Sequence, residues 1–151
     1  MIKNVLLLCF VTVLVSVSSK NIKFGPCPDQ KSTATVSNIA IVPCDVEPCI
    51  LYKGKSTNIM IDFTPTKATN TLKSVVKGKI GPLWIPFPLD HDDACTTSGV
   101  TCPLVPGKLY HFNYSLPVKS EYPSLQVLVK WEFHGDESQE VVCDEFPVKL
   151  Q

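Results

Sequence analysis

Residues 125–133 read LQVLVKWEF, and this stretch predicts the fold class of the chain. Apolar side chains occupy every second position, namely Leu125, Val127, Val129, Trp131 and Phe133. Most of the positions between them hold polar side chains, and a period of two is the pattern of a half-buried β-strand. A face this bulky must be covered by a second sheet or by another apolar body, such as a ligand.

The rest of the chain repeats this short-strand pattern. Alternating segments cover residues 32–41, 56–63, 71–80, 109–116 and 141–150. No window of helical length has a convincing helical period after the N-terminal segment. About seven short strands separated by frequent turns predict an all-β sandwich, with a small barrel as the alternative.

Three places carry finer structural predictions. A one-step shift of the apolar phase across residues 37–38 predicts a β-bulge or a change of sheet. Residues 50–52, the turn 53–55 and residues 56–63 predict a hairpin. Residues 81–89, GPLWIPFPL, are apolar with three prolines, so they must lie along a sheet edge or a mouth.

Residues 1–19 predict a secretory signal peptide. Lys3 is followed by an apolar run over residues 5–15 and then by small residues, and we expect cleavage after Ser19. The run is shorter than the roughly 20 apolar residues of a membrane-spanning helix. We therefore expect residues 20–151 to form one secreted, extracellular domain, with the lysosomal lumen as the alternative compartment.

The charge composition argues against nucleic acid as a partner. The 14 basic residues are all lysine, and they balance 14 acidic residues to a formal net charge of +0. Arginine is the preferred residue for bidentate recognition of phosphates and bases, and the lysines form no basic cluster. The same lysines do not make a strong polybasic membrane anchor.

Six of the seven cysteines follow the predicted signal peptide: Cys27, Cys44, Cys49, Cys95, Cys102 and Cys143. An even number in a secreted chain predicts three disulfides but leaves their pairing open. In one arrangement, two local pairs pin two loops and the outermost cysteines join the ends of the domain. No C-x-x-C unit occurs, so the spacing does not favour zinc, and we expect no metal and no cofactor.

The sequence has few features of an enzyme. It contains no G-x-S-x-G motif and no glycine-rich phosphate loop, and three disulfides leave no free cysteine nucleophile after residue 19. His91 lies with Asp90, Asp92 and Asp93 in a dense ionisable cluster. This cluster could bind a hard cation, but it is better interpreted as a solvated acidic loop.

Asn113-Tyr114-Ser115 is an N-glycosylation sequon on the polar side of a predicted strand. In a secreted chain it makes Asn113 a candidate glycosylation site. His111 and His134 also fall on polar faces of strands, and we interpret both as ordinary surface histidines.

An ordered set of motifs resembles the ML, or MD-2-related lipid-recognition, family. The set consists of C-x4-C with ILYKGK (44–55), IPFPL (85–89), C-x6-C-P (95–103), LPVKSEYPS (116–124), VLVKWE (127–132) and a last cysteine before EFPV (145–148). It spans essentially all of residues 20–151. Within the family it is most similar to Niemann-Pick type C-2 sterol-transfer proteins, and it suits an arthropod-type member.

The resemblance implies an immunoglobulin-like β-sandwich of antiparallel strands whose two sheets part to admit one lipid. The disulfides that it implies are Cys27 with Cys143, Cys44 with Cys49, and Cys95 with Cys102. Motif by motif, it also implies a pocket entrance formed by Phe87, Val118 and Tyr122, with Pro123 following. The inner walls that it implies consist of Trp131, Val127 and Val129 opposite Ile41, Val76 and Ile80.

Two residues differ from those of the sterol-binding members. Trp84 is a large residue ahead of the I-P-F-P motif, and Asp144 follows the last cysteine, where sterol-binding members can carry tryptophan. Both changes alter the shape or the polarity of the pocket. The lipid that the resemblance implies is therefore a fatty acid, a sterol or a similar small lipid.

The function predicted from these observations is a secreted, monomeric, non-enzymatic carrier of one lipid, which delivers it to a membrane or a receptor. A lipid-sensing interaction module, of an innate-immunity or co-receptor type, is the alternative, and a hydrolase is a weaker third. The same apolar residues would equally form the filled core of an ordinary secreted β-domain, so the resemblance decides for a cavity.

Overall fold

The computed structural model describes residues 19–151. The predicted signal peptide lies almost wholly outside the described residues and stays a prediction. No helix in the described range is long and apolar enough to cross a bilayer. The elements are β1 Lys20–Asn21, β2 Gly25–Pro26, β3 Ala34–Val42, β4 Cys49–Leu51, β5 Ser56–Pro65, β6 Lys73–Ile80, β7 Leu83–Phe87, α1 Ala94–Thr97, β8 Tyr110–Pro117, β9 Gln126–His134, a 3-10 turn Asp136–Ser138 and β10 Glu140–Leu150.

Two sheets pack face to face, which confirms the predicted β-sandwich. The first has the strand order β1-β3-β5-β8, and the second has the order β2-β10-β9-β6-β7. Seven strands have five or more residues, in agreement with the number predicted, while β1, β2 and β4 are only two or three residues long. β4 adds to the second sheet by pairing with β10 in parallel.

The strand predicted from residues 125–133 is β9, and it lies between β10 and β6 in the larger sheet. Its inward-facing Trp131 and Phe133 are completely buried. The Phe112 ring of β8 contacts them edge-on, with centroid distances of 5.6 Å to Trp131 and 4.7 Å to Phe133. Such aromatic pairs contribute about 0.5 to 1.5 kcal/mol each beyond the area that they bury, so this cluster joins the two sheets.

The outer face of β9 is less exposed than its polar sequence predicts. Glu132 is only 1% exposed, and its carboxylate lies 2.9 Å from the Lys77 ammonium of β6 and 3.6 Å from the His134 ring. A buried carboxylate needs such partners because an isolated buried charge is very costly. The Cys27–Cys143 disulfide ties the segment after β2 over this part of the sheet.

Of the finer predictions, two are confirmed and one is wrong. The register of β3 against β5 shifts between Val36 and Asn38, which is the predicted irregularity. Residues 83–87 form β7, which pairs only with β6 and is therefore an edge. The hairpin of β4 with β5 does not form, because β4 pairs with β10 while β5 pairs with β3 and β8.

The reason lies in the backbone hydrogen bonds of the turn between β4 and β5. The Lys53 N–H donates to the Gln151 carbonyl at 2.9 Å, and the Gly54 N–H donates to the Val118 carbonyl at 2.6 Å. The turn is therefore bound to the C-terminus and to the loop after β8 instead of closing a hairpin. The chain crosses here from one sheet to the other.

All three disulfides implied by the resemblance are present. Cys27 is joined to Cys143, Cys44 to Cys49, and Cys95 to Cys102. The first closes a loop of 116 residues in sequence separation and fixes β2 against β10, while the other two pin loops. The third joins Cys95, within the single helical turn α1, to Cys102 in the loop that follows.

Candidate functional site

An apolar cleft opens between the two sheets, where β9 begins and where β8 and β10 end. The cleft is narrow, because only about 30 Å³ of its interior is open to a molecule the size of water. The residues that line it are Leu51, Val76, Lys77, Phe87, Leu116, Pro117, Val118, Tyr122, Val127, Val129, Val148 and Leu150. Because nearly all of these side chains are apolar, the cleft suits an apolar molecule and offers no cluster of catalytic groups.

Two of the lining residues that were predicted at the entrance, Phe87 and Tyr122, lie in segments outside the central sheet ladders. Phe87 ends the edge strand β7, between Pro86 and Pro88, and Tyr122 lies in the loop between β8 and β9. Their rings meet edge-on, with centroids 5.0 Å apart and planes inclined by 71°. The two aromatic residues predicted at the entrance are therefore packed against each other.

Val118 is fixed more firmly than an entrance residue needs to be. Its N–H donates to the Lys55 carbonyl at 2.9 Å, and its own carbonyl accepts the Gly54 N–H. The side chain is only 3% exposed. Val118 therefore faces the cleft from within the packed structure instead of projecting at the rim.

Gly78 of β6 makes room for the Phe87 ring. A Cβ atom at Gly78 would lie 2.8 Å from Phe87 Cε2 and 3.1 Å from Val127 Cγ2. Contacts below 3.0 Å are not tolerated without a shift. The absence of a side chain at this position thus allows the Phe87 ring to lie over the inner face of β6.

The structure brings together six of the ten residues that the sequence assigns to ligand binding. These six line the cleft: Phe87, Val118, Tyr122, Val76, Val127 and Val129. The other four do not line it. Ile41 and Trp131 are fully buried in the core, Ile80 is 41% exposed at the end of β6, and Pro123 is exposed next to Tyr122.

Six lining residues were not singled out from the sequence: Leu51, Lys77, Leu116, Pro117, Val148 and Leu150. For Leu116, Val148 and Leu150 a signal existed, because each continues the apolar alternation of its strand. Leu51 had no such signal, since it reaches the cleft through the parallel pairing of β4 with β10.

A second, wider groove adjoins the cleft along the edge formed by β6 and β7. It encloses about 670 Å³, open solvent included, and is lined by residues 73–76, 86–89 and Asp92. Val76 and Phe87 line both spaces. Movement of the Phe87 ring would therefore join them.

The inner face also carries polar groups. Asp144 of β10 is 6% exposed, and burial raises the pKa of its carboxyl to about 6. It lies directly opposite Trp131, whose indole Nε1 has no hydrogen-bond partner among the described residues. A buried donor left in this way costs about 1 to 3 kcal/mol.

The acidic clusters have structural explanations. Asp93 caps α1 by accepting the Cys95 N–H at 2.9 Å, and Asp92 lies 3.2 Å from the Lys73 ammonium. On the outer face, Glu132 and Glu140 approach Cys143, but this cysteine is in a disulfide and has no thiolate to offer a metal. Burial, and then the Glu132 carboxylate, raise the pKa of Glu140.

Comparison with known proteins gives the family. Residues 21–150 match the family model described as the ML domain. The chain belongs to the ML domain family. The resemblance drawn from its motifs is thereby confirmed for essentially the whole of the described structure.

This ML protein has well-covered relatives in vertebrates and insects. It is 41% identical over 115 residues to the NPC intracellular cholesterol transporter 2 of Danio rerio, covering 76% of each chain. It is 36% identical over 132 residues to the Drosophila melanogaster homolog a of that transporter, covering 86% of this chain and 88% of the relative.

A solved structure shows the same fold. It is a Niemann-Pick type C2 protein from the Japanese carpenter ant, and it aligns to this ML protein with a TM-score of 0.79 at 25% sequence identity. The alignment covers 86% of this chain and 100% of the ant chain. The sandwich described above is thus an insect-like example of the family architecture.

Proposed function

We propose that this ML protein is a secreted, monomeric, non-enzymatic carrier that holds one hydrophobic small molecule between its two sheets. The observation that carries the proposal is the apolar cleft, with its mouth between Phe87 and Tyr122. The relatives named as cholesterol transporters support the same function. The ligand class is a fatty acid, a sterol or a similar small lipid, delivered to a membrane or a receptor.

The cleft is narrow, so a lipid must enter by moving the sheets apart. β8 is an end strand of the first sheet, and β7 is an end strand of the second. Neither edge has a further partner strand, so parting there breaks no strand ladder. The segment that contains α1 links the two sides, because the Asn113 N–H donates to the Ser98 carbonyl and the Ala94 N–H donates to the Leu72 carbonyl, so this segment must move with one sheet. An apolar ligand then gains roughly 25 cal/mol for each Å² of its surface that leaves water, which offsets the loss of side-chain contacts between the sheets.

Native mass spectrometry after mild purification tests the proposal, together with displacement of a fluorescent fatty acid by unlabelled fatty acids and sterols. We expect one adduct per chain and competitive displacement by at least one lipid class. If the purified protein carries no adduct and no lipid displaces the fluorescent fatty acid, the protein is a module that binds no lipid. Turnover of lipid esters that is abolished by replacing one serine or histidine would overthrow the non-enzymatic assignment.

A further inference from the structure

The end strand β8 carries the only N-glycosylation sequon of the sequence, Asn113-Tyr114-Ser115. Asn113 and Ser115 are exposed, while Tyr114 between them is buried. The side-chain amide that receives a glycan and the hydroxyl that completes the sequon therefore project from the same outer face of the smaller sheet. A sugar attached to Asn113 would lie in solvent, outside the core.

The side chains of Asn113 and Ser115 have no structural role that a glycan would disturb. The backbone N–H of Asn113 donates to the Ser98 carbonyl at 2.9 Å and holds the strand in place. Within residues 19–151 the Asn113 amide and the Ser115 hydroxyl make no hydrogen bond. Asn70 differs, because its amide donates to the Asp136 carboxylate at 2.9 Å. Modification of Asn113 would therefore break no hydrogen bond of the fold.

The outer face around Asn113 has very little charge. The strands β3, β5 and β8 contain no lysine and no glutamate, and their aspartate and histidine, Asp62 and His111, are paired at 2.6 Å. The strands β6 and β9 of the larger sheet contain four lysines, namely Lys73, Lys77, Lys79 and Lys130. Charged side chains normally keep a protein surface soluble. A glycan is bulky and solubilising, so it would supply the polar cover that this face lacks.

Apolar side chains lie next to Asn113 on this face. Met60 of β5 is directly opposite Asn113 and is partly exposed, and Ala40 of β3 is directly opposite Met60. The Cβ atoms of directly opposite residues are about 5 Å apart. The first sugar on Asn113 would therefore lie within reach of the Met60 side chain.

The sequon and the cleft lie on opposite faces of β8. Leu116 lines the cleft, and it belongs to the inner face of the strand together with the buried Phe112 and Tyr114. Asn113 and Ser115 alternate with these residues and do not line the cleft. A glycan on the outer face would leave the lipid-binding space open.

We infer that Asn113 carries an N-linked glycan that covers the weakly charged outer face of the smaller sheet and leaves the cleft open. The modification rests on the proposed secretion, because N-glycans are added to chains that enter the secretory pathway. The donor is an oligosaccharide linked to a lipid pyrophosphate. The Asn113 amide nitrogen loses one proton and forms a bond to the anomeric carbon of the first sugar, while the bond from that carbon to phosphate breaks and the lipid pyrophosphate leaves.

The test expresses the full chain in cultured mammalian cells and measures the intact mass, in the medium and in the cells, before and after treatment with peptide-N-glycosidase. We expect the wild-type protein to lose the mass of one glycan, with Asn113 converted to aspartate in the peptide map. Asn113→Gln and Ser115→Ala should both lack the glycan. Asn58→Gln is the matched control and should keep it, because Asn58 is exposed directly opposite Ser115 but is not part of a sequon.

Oxidation of Met60 by hydrogen peroxide measures whether the glycan covers this face. Met60 is the only methionine after the predicted signal peptide, so its conversion to the sulfoxide gives a single step in mass. We expect this oxidation to be at least about twofold slower in the glycosylated protein than in Ser115→Ala. Both proteins should bind a fluorescent fatty acid with the same dissociation constant.

The outcomes separate the glycan from the carrier function. A secreted wild-type chain without a glycan, or a glycan that persists in Ser115→Ala, would overturn the inference while the carrier function stands. Equal oxidation rates of Met60, or weaker lipid binding by the glycosylated protein, would contradict the position of the glycan. A glycosylated chain that binds no lipid would support the glycan and contradict the carrier. A chain that is neither secreted nor glycosylated in the cells would contradict both.

Discussion

The Phe87 ring lies edge-on against the Tyr122 ring, 5.0 Å from centroid to centroid, and both residues line the cleft between the sheets. The two residues are 35 positions apart, one on an edge strand and one in a loop. Phe87 reaches this position because Gly78 beneath it has no side chain. The position of this lining residue therefore depends on Gly78, which does not itself line the cleft.

Gly78→Ala should displace the Phe87 ring from Tyr122, since the added Cβ would lie 2.8 Å from Phe87 Cε2. Overpacking of this kind costs about 1 to 3 kcal/mol of stability, and the displaced ring should speed lipid dissociation. Stopped-flow release of a fluorescent lipid and thermal unfolding measure the two effects. Gly25→Ala is the control, because a Cβ there meets no atom within 4 Å. A release rate unchanged from wild type would show that Phe87 does not close the mouth.

Trp131→Ala should destabilise the fold by about 3 to 5 kcal/mol, because it removes a large, fully buried side chain. The Phe112 and Tyr114 rings would both lose their edge-on neighbour. Chemical denaturation should show a lower midpoint with an unchanged slope. A loss below about 1 kcal/mol would mean that the side chains around Trp131 repack, and that the cluster does not join the sheets.

Replacing Cys27 and Cys143 together by serine should cost about 2 to 5 kcal/mol, because their disulfide closes most of the described chain. The matched pair is Cys95 with Cys102, whose sequence separation is only 7. In the chain-entropy model the longer loop gives the larger effect. Thermal unfolding of both double variants compares the two losses of stability. If the Cys27 and Cys143 variant loses no more stability than the Cys95 and Cys102 variant, the prediction is wrong.

Asp144→Asn should stabilise the protein at neutral pH but not at pH 4. The folded-state pKa of Asp144 is raised from 3.8 to about 6, so the folded protein binds this proton more tightly than the unfolded chain. Wild-type stability therefore falls relative to the variant as pH rises from about 4 to 6, and the difference is constant above that range. Allowing for partial solvation, we expect about 2 kcal/mol at pH 7. Urea unfolding at several pH values measures it, and a pH-independent difference would show that the carboxyl is not shifted.

Much of the fold could be predicted because alternation with a period of two reports which face of a strand is buried. β9, β8 and β6 follow this rule, and the prolines of residues 81–89 correctly indicate an edge. The pairing of β4 could not be predicted in the same way. It joins residues almost 100 positions apart in parallel, so proximity in sequence wrongly favours a hairpin with β5.

The site was partly predictable for a similar reason. The motif residues predicted at the entrance line one cleft in the structure, together with the predicted wall residues Val76, Val127 and Val129. Sequence pattern shows that Trp131 faces inward but not how deeply it lies, and tertiary packing against Phe112 places it behind the cleft wall. The burial of Glu132 was also missed, since it depends on an ion pair with Lys77 on another strand.

The proposed carrier function requires that lipid binds in the cleft between the sheets, and Val118→Phe probes this requirement at the cleft itself. The larger ring should fill the cleft at a position that is already buried, with a stability cost of about 1 to 3 kcal/mol. Val105→Phe is the matched control, because this valine is 52% exposed and does not line the cleft.

The measurement is the dissociation constant of a fluorescent fatty acid for wild type and both variants, at a temperature where all three are folded. We predict binding to wild type and Val105→Phe with equal affinity, and binding to Val118→Phe at least about tenfold weaker, which corresponds to about 1.4 kcal/mol. Wild-type affinity in a folded Val118→Phe protein would contradict the proposed binding site, because the lipid would then bind somewhere other than this cleft.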